Sequence, residues 1–456
     1  MMLLGLLAGY FTLFSAGIGC VLVLVKPSTR LNVVELACLS WLLGVGIVSL
    51  LLWLGGIVFS GLALQSLVTL TCLVLGFIGW MVKKRRAIHF SLPRPDGSLE
   101  WILASLLVIE LVAIFFVSLK HTLGWDGLLN WEIKARYAFF NSGVLPRSYY
   151  SSYGRAFSHP EYPLAIPFTE LWLYLWMGAA HQFWIKTIFP AFYISGALLV
   201  TLFISRLTGK RWAGLTASLL MPFVPFVTAS PGGVIVGYAD IFLSMAYVVA
   251  LGYLLCSFEF DSPFALLAYG SVLTLIPWIK SEGMILWSVL AVIGLVAGFV
   301  RHRLRPYSIA ILPGLVLIVS WRLYLRALHV VPASDFVRPS LQLLSSNLVR
   351  VPSIGRIALA ELTDFGLWSI FWLLTIVAIV YLVTSRTLSR LVVTLSILSP
   401  VVLYLLAYVF SAWPSYTAHI TSSLPRLLLQ VVPVGWLAIG LALACSKAEP
   451  GKSAFD

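Results

Sequence analysis

Charge is the scarcest property of this chain. Asp, Glu, Lys and Arg make up 10% of its 456 residues, where a water-soluble domain needs about 25% to cover its surface. That deficit excludes an ordinary soluble enzyme, and the segments between the apolar runs are too short to enclose a separate aqueous core. Cysteine is also uninformative. The five present (Cys20, Cys38, Cys72, Cys256 and Cys445) all lie inside apolar runs without CxxC spacing, which argues against a disulfide framework or a thiolate metal site. The chain has no HxH or HExxH pattern, internal repeat, low-complexity tract or heptad pattern. Its formal net charge of +13 does not point to nucleic acid, because the basic residues fall in short clusters between apolar runs, as in the cytoplasmic loops of membrane proteins.

What the chain does have is apolar length. Segments of roughly 17–25 mainly apolar residues can span a bilayer; they stand at about 3–25, 32–58, 61–82, 100–119, 183–205, 212–229, 238–257, 263–279, 284–300, 307–325, 365–383, 391–411 and 426–445. The expectation is an all-α polytopic membrane protein with about 13 transmembrane helices. Met1–Val25 lacks a basic n-region and a small-residue cleavage site and reads as a retained helix. The clusters Lys26/Arg30, Lys83–Arg86, Arg206/Lys210/Arg211, Arg301/Arg303/Arg305 and Arg386/Arg390 share one side if the N-terminus is outside and the C-terminus cytoplasmic. That assignment requires the apolar stretch Pro163–Ala180 not to cross, so it reads as an interfacial or re-entrant helix. Residues 120–182 are then wholly extracytoplasmic. So are residues 327–364, a loop too long for a mere connection, whose pattern around Leu341–Leu348 permits a short amphipathic helix.

The longest polar interruption, Trp125–Pro163, holds Asp126, Glu132, Lys134, Arg136, His159 and Glu161. A lipid-embedded chain has no solubility reason to gather such residues between membrane segments, so the stretch reads as a site. Glu132 and Arg136 have i,i+4 spacing and are expected to pair on the helix surface, leaving Lys134 to point elsewhere and meet a ligand. His159-Pro160-Glu161-Tyr162, followed by Pro163, is a rigid turn into the next helix. Asp126 and Asp240 both fall at a helix–loop junction on the outer side. Together they could hold a divalent cation, or one could act as a general base that the other orients; alternatively, each pairs with a nearby Arg or Lys or caps a helix. Lys280-Ser281-Glu282-Gly283 interrupts two apolar runs, so Lys280 and Glu282 form either an internal ion pair or a phosphate-binding element. Arg426, with His419 and Thr421–Ser423 before it, is placed to hold a lipid phosphate or to snorkel. Basic residues outnumber acidic ones on the outer side, against the positive-inside bias, and this suggests an anionic ligand there.

These features together resemble the GT-C type membrane glycosyltransferases, including the protein O-mannosyltransferase and aminoarabinose-transferase branch. The resemblance rests on an acidic residue in the large first outer loop, an HPEYP-like turn, GYAD in the next outer loop and KSEG between later spans. It covers about residues 100–300 and, more weakly, the last span, so residues 1–99 read as three added helices before a catalytic core at 100–456. It implies an inverting transferase in the bacterial plasma membrane that takes a sugar from a polyprenyl-phosphate-linked donor and passes it to an extracytoplasmic acceptor. In that frame Asp126 is the catalytic base and Asp240 the second acidic position. Lys280, Glu282, His419 and Arg426 serve the lipid phosphate, with Lys134, His159 and Glu161 shaping the pocket. A divalent cation, Mg or Mn, would sit at Asp126 and Asp240. The chain departs from the family pattern in having a single acidic residue at Trp125-Asp126-Gly127 and Tyr238 where an Asp-x-Asp partner would stand, which favours a metal-independent reaction. Two other classes compete: an O-antigen ligase or polymerase, through Arg338, Arg350 and Arg356 in the 327–364 loop, and a secondary transporter of an anionic solute or lipid.

Overall fold

The structure, a computed structural model, describes residues 1–27, 30–229, 232–330, 335–385 and 387–444; Arg386 and Cys445, named above, lie outside them. In hydrocarbon every backbone N–H and C=O must be satisfied within its own segment, so long apolar runs become helices. In order these are α1 (Met2–Leu24), α2 (Val33–Gly55), α3 (Gly61–Arg86), α4 (Ser98–Lys120), α5 (Ile133–Phe140), α6 (Ala165–Met177), α7 (Ile188–Thr208), α8 (Arg211–Leu220) and α9 (Ala239–Glu259). They continue as α10 (Pro263–Ile279), α11 (Gly283–Val300), α12 (Leu304–Ala327), α13 (Leu341–Asn347), α14 (Val351–Leu362), α15 (Phe371–Thr384), α16 (Leu388–Ala407), α17 (Tyr416–Leu429) and α18 (Val432–Leu443). Two three-residue strands, β1 (Arg30–Asn32) and β2 (His89–Ser91), pair in parallel beside the start of α2.

The protein is an all-α polytopic membrane protein. Nine helices among the described residues are long and apolar enough to cross a membrane, and α17 with α18, bent by 45°, makes a tenth if the pair is one span. The difference from about 13 has local causes. The expected span at 212–229 is broken: α8 ends at Leu220, and Pro222 and Pro225 open separate single turns, since proline lacks an N–H and clashes with the preceding turn. α10 and α15, at 17 and 14 residues, are about 26 and 21 Å long, short of the about 30 Å hydrocarbon core. The last span starts earlier than expected, at Tyr416, and is bent.

α9 is the centre. The whole of its most apolar window is buried, with α7, α10 and α18 against it. α3, α4 and α12 are peripheral and keep most of their apolar surface exposed. α1 and α2 pack on α6 and on each other, and α2 also packs on α7 and α10, so they are continuous with the rest of the bundle. Close approach explains the tight seam: a Cβ at Gly17 would collide with the Ser40 carbonyl of α2, and one at Gly19 with Leu75 of α3. α6, where an interfacial helix is expected, is 13 residues long, and every residue from Ala165 to Tyr174 is buried. The permitted helix near Leu341–Leu348 is present as α13.

Candidate functional site

Four chain breaks meet at one end of the bundle. Beyond α4 the chain reaches Asp126 and enters a six-residue π-helix, Gly127–Glu132, which runs into α5. Such wide turns re-aim side chains and cluster at functional sites. This segment is pressed onto the loop before α9: the Gly124 N–H donates to the Val236 carbonyl at 2.8 Å, and Gly127 leaves room for the Gly237 carbonyl. Gly237 itself has φ of +74°, a conformation that suits glycine. Asp240 then falls in the first turn of α9, where the helix dipole favours a carboxylate. Lys280 ends α10 in an extended conformation, and Arg426 stands near the end of α17.

Asp240, with no exposed surface, is the hub. Its Oδ1 accepts from Lys280 Nζ at 2.9 Å and from Gln430 Nε2 at 3.0 Å; its Oδ2 accepts from Arg426 Nε at 3.0 Å and Nη2 at 2.8 Å. The same Nη2 donates to Asp126 Oδ2, so one guanidinium nitrogen joins the two carboxylates. Lys280 also pairs with Glu282 at 3.1 Å. The Arg426 guanidinium lies 4.8 Å from the Tyr238 ring centre, and its Nη1 has no hydrogen bond among the described residues. Lys280 and Arg426 are thus already paired, Lys280 with Asp240 and Glu282 and Arg426 with Asp240 and Asp126. The alternative in which each aspartate pairs with a nearby basic residue is the arrangement present, and Lys280–Glu282 is an ion pair.

A second cluster lies beside the first. Glu132 pairs with Arg136 at 3.3 Å as its spacing suggests, but it is buried instead of lying on the surface, and it also accepts from Tyr174 Oη at 2.9 Å and Gln182 Nε2 at 2.7 Å. Lys134, expected to be free for a ligand, is fully buried and donates to the carbonyls of Asn130 and Ser158 at 2.9 and 2.7 Å. Its position one turn after Asn130 turns it inward, and there it staples the π-helix to the turn before His159. Burial pulls its pKa down to about 7, against the opposing fields of Glu161, Asp126 and Glu170. His159, at φ of +47°, pairs with Glu161 at 3.2 Å and stacks on Tyr162. Burial, with Glu282, Glu161 and Asp126 adding to it and Arg426 opposing, holds the Tyr162 phenol well above its ordinary pKa. Tyr162 also stacks on Trp131 of the π-helix that follows Asp126, which puts the HPEYP turn beside that segment.

His419 stands apart from this network: its Nδ1 meets the Ser411 hydroxyl at 2.8 Å and its ring stacks on Trp413. The Ser422 and Ser423 hydroxyls donate to the His419 carbonyl, and Thr421 bonds back within its own helix. Three contributors were not singled out from sequence. Gln430 is one turn beyond Arg426 on the same helix, a spacing that could have shown it. Glu170, fully buried with neither oxygen hydrogen-bonded among the described residues, is a carboxylate inside an apolar run. Tyr238, under Arg426, gave no such signal.

Among the described residues no group of three or more His, Cys, Asp or Glu side chains is placed to hold a metal ion. A divalent cation between Asp126 and Asp240 would have to replace the Arg426 guanidinium, so the residues as arranged do not fit one. Below the charged end, a groove of about 590 Å³ runs between α2, α10 and α12. Its walls include Leu43, Ile47, Leu267, Leu275, Trp278 and Leu317, with little polar surface. Leu267 and Ile309 are exposed along it, so the groove opens sideways. Its upper end is Trp278, two residues before Lys280, where Trp53, Trp278 and Trp321 form an aromatic wall and the Trp321 indole donates to the Glu161 carbonyl at 3.1 Å. Compared with protein-family models, curated proteins and solved structures, the chain matches none.

Proposed function

We propose that the protein is a membrane glycosyltransferase of the GT-C type, taking a sugar from a polyprenyl-phosphate-linked donor and passing it to an acceptor at the extracytoplasmic face of a bacterial plasma membrane. The observation that carries this reading is the convergence of Asp126, Asp240, Lys280 and Arg426 from separate segments of the chain; an apolar groove open to the side ends at Trp278, two residues before Lys280. A carrier lipid needs both parts: cationic groups for its phosphate and an apolar channel for its chain. The orientation follows the positive-inside rule, with the Lys83–Arg86, Arg206–Arg211 and Arg301–Arg305 clusters toward the cytoplasm. α6 then lies in or re-enters the membrane from the outer side.

In the inverting reaction, Asp126 takes the proton of the acceptor hydroxyl or amine as that atom bonds the anomeric carbon. The bond from that carbon to the phosphate oxygen breaks, and its electron pair leaves on the phosphate, where Arg426 and Lys280 offset the developing charge. Asp240 acts on neither reactant; it positions the two cations. The O-antigen ligase alternative loses one of its supports, since Arg350 donates to the Val409 and Ser411 carbonyls, which fastens its loop.

Purified protein given radiolabelled polyprenyl-phosphate sugars and a panel of cell-envelope acceptors tests the reading. Label transfer that disappears in Asp126→Asn, with expression intact, is the expected result. Full transfer by that variant removes Asp126 as base, and no transfer to any acceptor removes the reading.

A further inference from the structure

Asp126 is held by Arg426, and a carboxylate engaged by a guanidinium is not free to meet an acceptor. This conflict between its proposed role and its position has a geometric resolution. The two aspartates on Arg426 are not equivalent. Asp240 is fully buried and takes four donors from Lys280, Gln430 and Arg426. Asp126 keeps some exposure, and its carboxylate has one side-chain donor among the described residues, the Nη2 that it shares with Asp240. Arg426 is itself about a fifth exposed, and among the described residues its Nη1 makes no hydrogen bond. Nη1 and Nη2 are the side-by-side pair that binds a phosphate in bidentate fashion, and Asp126 holds one of the two.

We propose that Asp126 is a built-in occupant of a phosphate site on the Nη1–Nη2 edge of Arg426, and that an arriving phosphate displaces it and so frees it to act as the base. Asp240 stays in place and keeps the guanidinium oriented during the exchange. The last step rests on the transferase reading; the competition does not. The arrangement also gives an order of events, because the base is held back until the leaving-group phosphate is seated, which protects the donor from idle hydrolysis.

Because Asp126 competes with the ligand, removing its charge strengthens binding. Full-length protein in phosphatidylcholine nanodiscs is titrated with polyprenyl phosphate and, separately, with inorganic phosphate. Asp126→Asn is expected to bind the phosphate up to about fivefold more tightly, the size of one partly exposed ion pair with a guanidinium. A gain with both ligands assigns the edge to phosphate in general; a gain confined to the polyprenyl ester assigns it to the lipid carrier; a shift on adding phosphatidylglycerol alone assigns it to bulk headgroups. Unchanged or weaker binding in Asp126→Asn overturns the proposal. A second arm needs no variant: carbodiimide labelling of the wild-type protein, read by mass spectrometry, is expected to rise severalfold at Asp126 when polyprenyl phosphate is added and to stay absent at Asp240. Protection of Asp126 by the ligand overturns the proposal as well. The two readings separate cleanly: tighter binding without any sugar transfer keeps the competition and removes the transferase, whereas sugar transfer with weaker binding does the reverse.

Discussion

Arg206 and Arg426 both meet buried carboxylates, at opposite ends of α9, and they are held in different ways. Near one end Arg206 faces Glu35 fork to fork, Nη1 to Oε1 at 2.7 Å and Nη2 to Oε2 at 2.5 Å, with the Tyr253 hydroxyl completing Oε1 at 3.0 Å. Carboxylate and guanidinium are matched one to one. At the other end Arg426 divides one nitrogen between two carboxylates and, among the described residues, leaves another without a hydrogen bond. The matched pair fastens α2, α7 and α9 together. The mismatched one retains hydrogen-bonding capacity among the described residues, and the proposed phosphate site at Arg426 rests on this contrast.

The largest effect that would break this contrast is catalytic. Asp126→Asn is expected to lower sugar transfer by about 10³-fold, within the usual range for a positioned base, while Arg206→Lys changes it by no more than a few-fold; equal losses in the transfer assay would erase the distinction. Next comes stability. Glu35→Ala leaves Arg206 buried without its carboxylate and should cost about 3–5 kcal/mol, against about 1 kcal/mol or less for Asp126→Ala, which leaves Arg426 on Asp240. Denaturant or thermal unfolding in detergent ranks the two.

Lys134 sharpens the comparison as a buried cation with no carboxylate at salt-bridge distance among the described residues. Its folded pKa, about 7, lies below its unfolded value of 10.5. Below pH 7 both states carry the proton, and the folded state bears the full cost of the buried charge. Between pH 7 and 10.5 the unfolded state binds more protons, so stability rises with pH, by at most about 1.4 kcal/mol per pH unit. Unfolding midpoints measured at pH 7, 8 and 9 should climb by this contribution in the wild type, and Lys134→Met should flatten the slope. The smallest effect is expected at Gln430. Gln430→Leu removes one of four donors to Asp240 and should lower transfer a few-fold through a looser Arg426, with KM for the donor rising more than kcat falls.

Much of the site was legible because charge is so costly inside this chain. Asp126, Asp240, Lys280 and Arg426 each interrupt or border an apolar run on one side, and there are few other places for them to go than toward one another. Direction was less legible. Spacing paired Glu132 with Arg136, yet it could not show that Glu132 faces Tyr174 and Gln182, or that Lys134 turns inward; the π-helix alters the phase of the turn, and no residue pattern announces it. The span count, about 13 from hydropathy against nine or ten long apolar helices among the described residues, differs for a related reason. Hydropathy reports transfer out of water, and lipid and protein interior look alike to it: α9 and α3 have mean hydropathies of 2.1 and 2.0, while 100% of one window and 17% of the other is buried. A short, largely buried helix such as α10 therefore reads as a span.

α9 has a mechanical consequence as well. A buried helix held through Asp240 at one end and Tyr253 at the other, about 20 Å apart, cannot slide along its axis, because a shift of a single residue rise, about 1.5 Å, would pull both side chains from their partners together. It is the stator of the bundle. At the seam where Gly124 and Gly127 meet Val236 and Gly237, the segment that carries Asp126 is pressed against the loop leading into this same fixed helix, so its register is set there too.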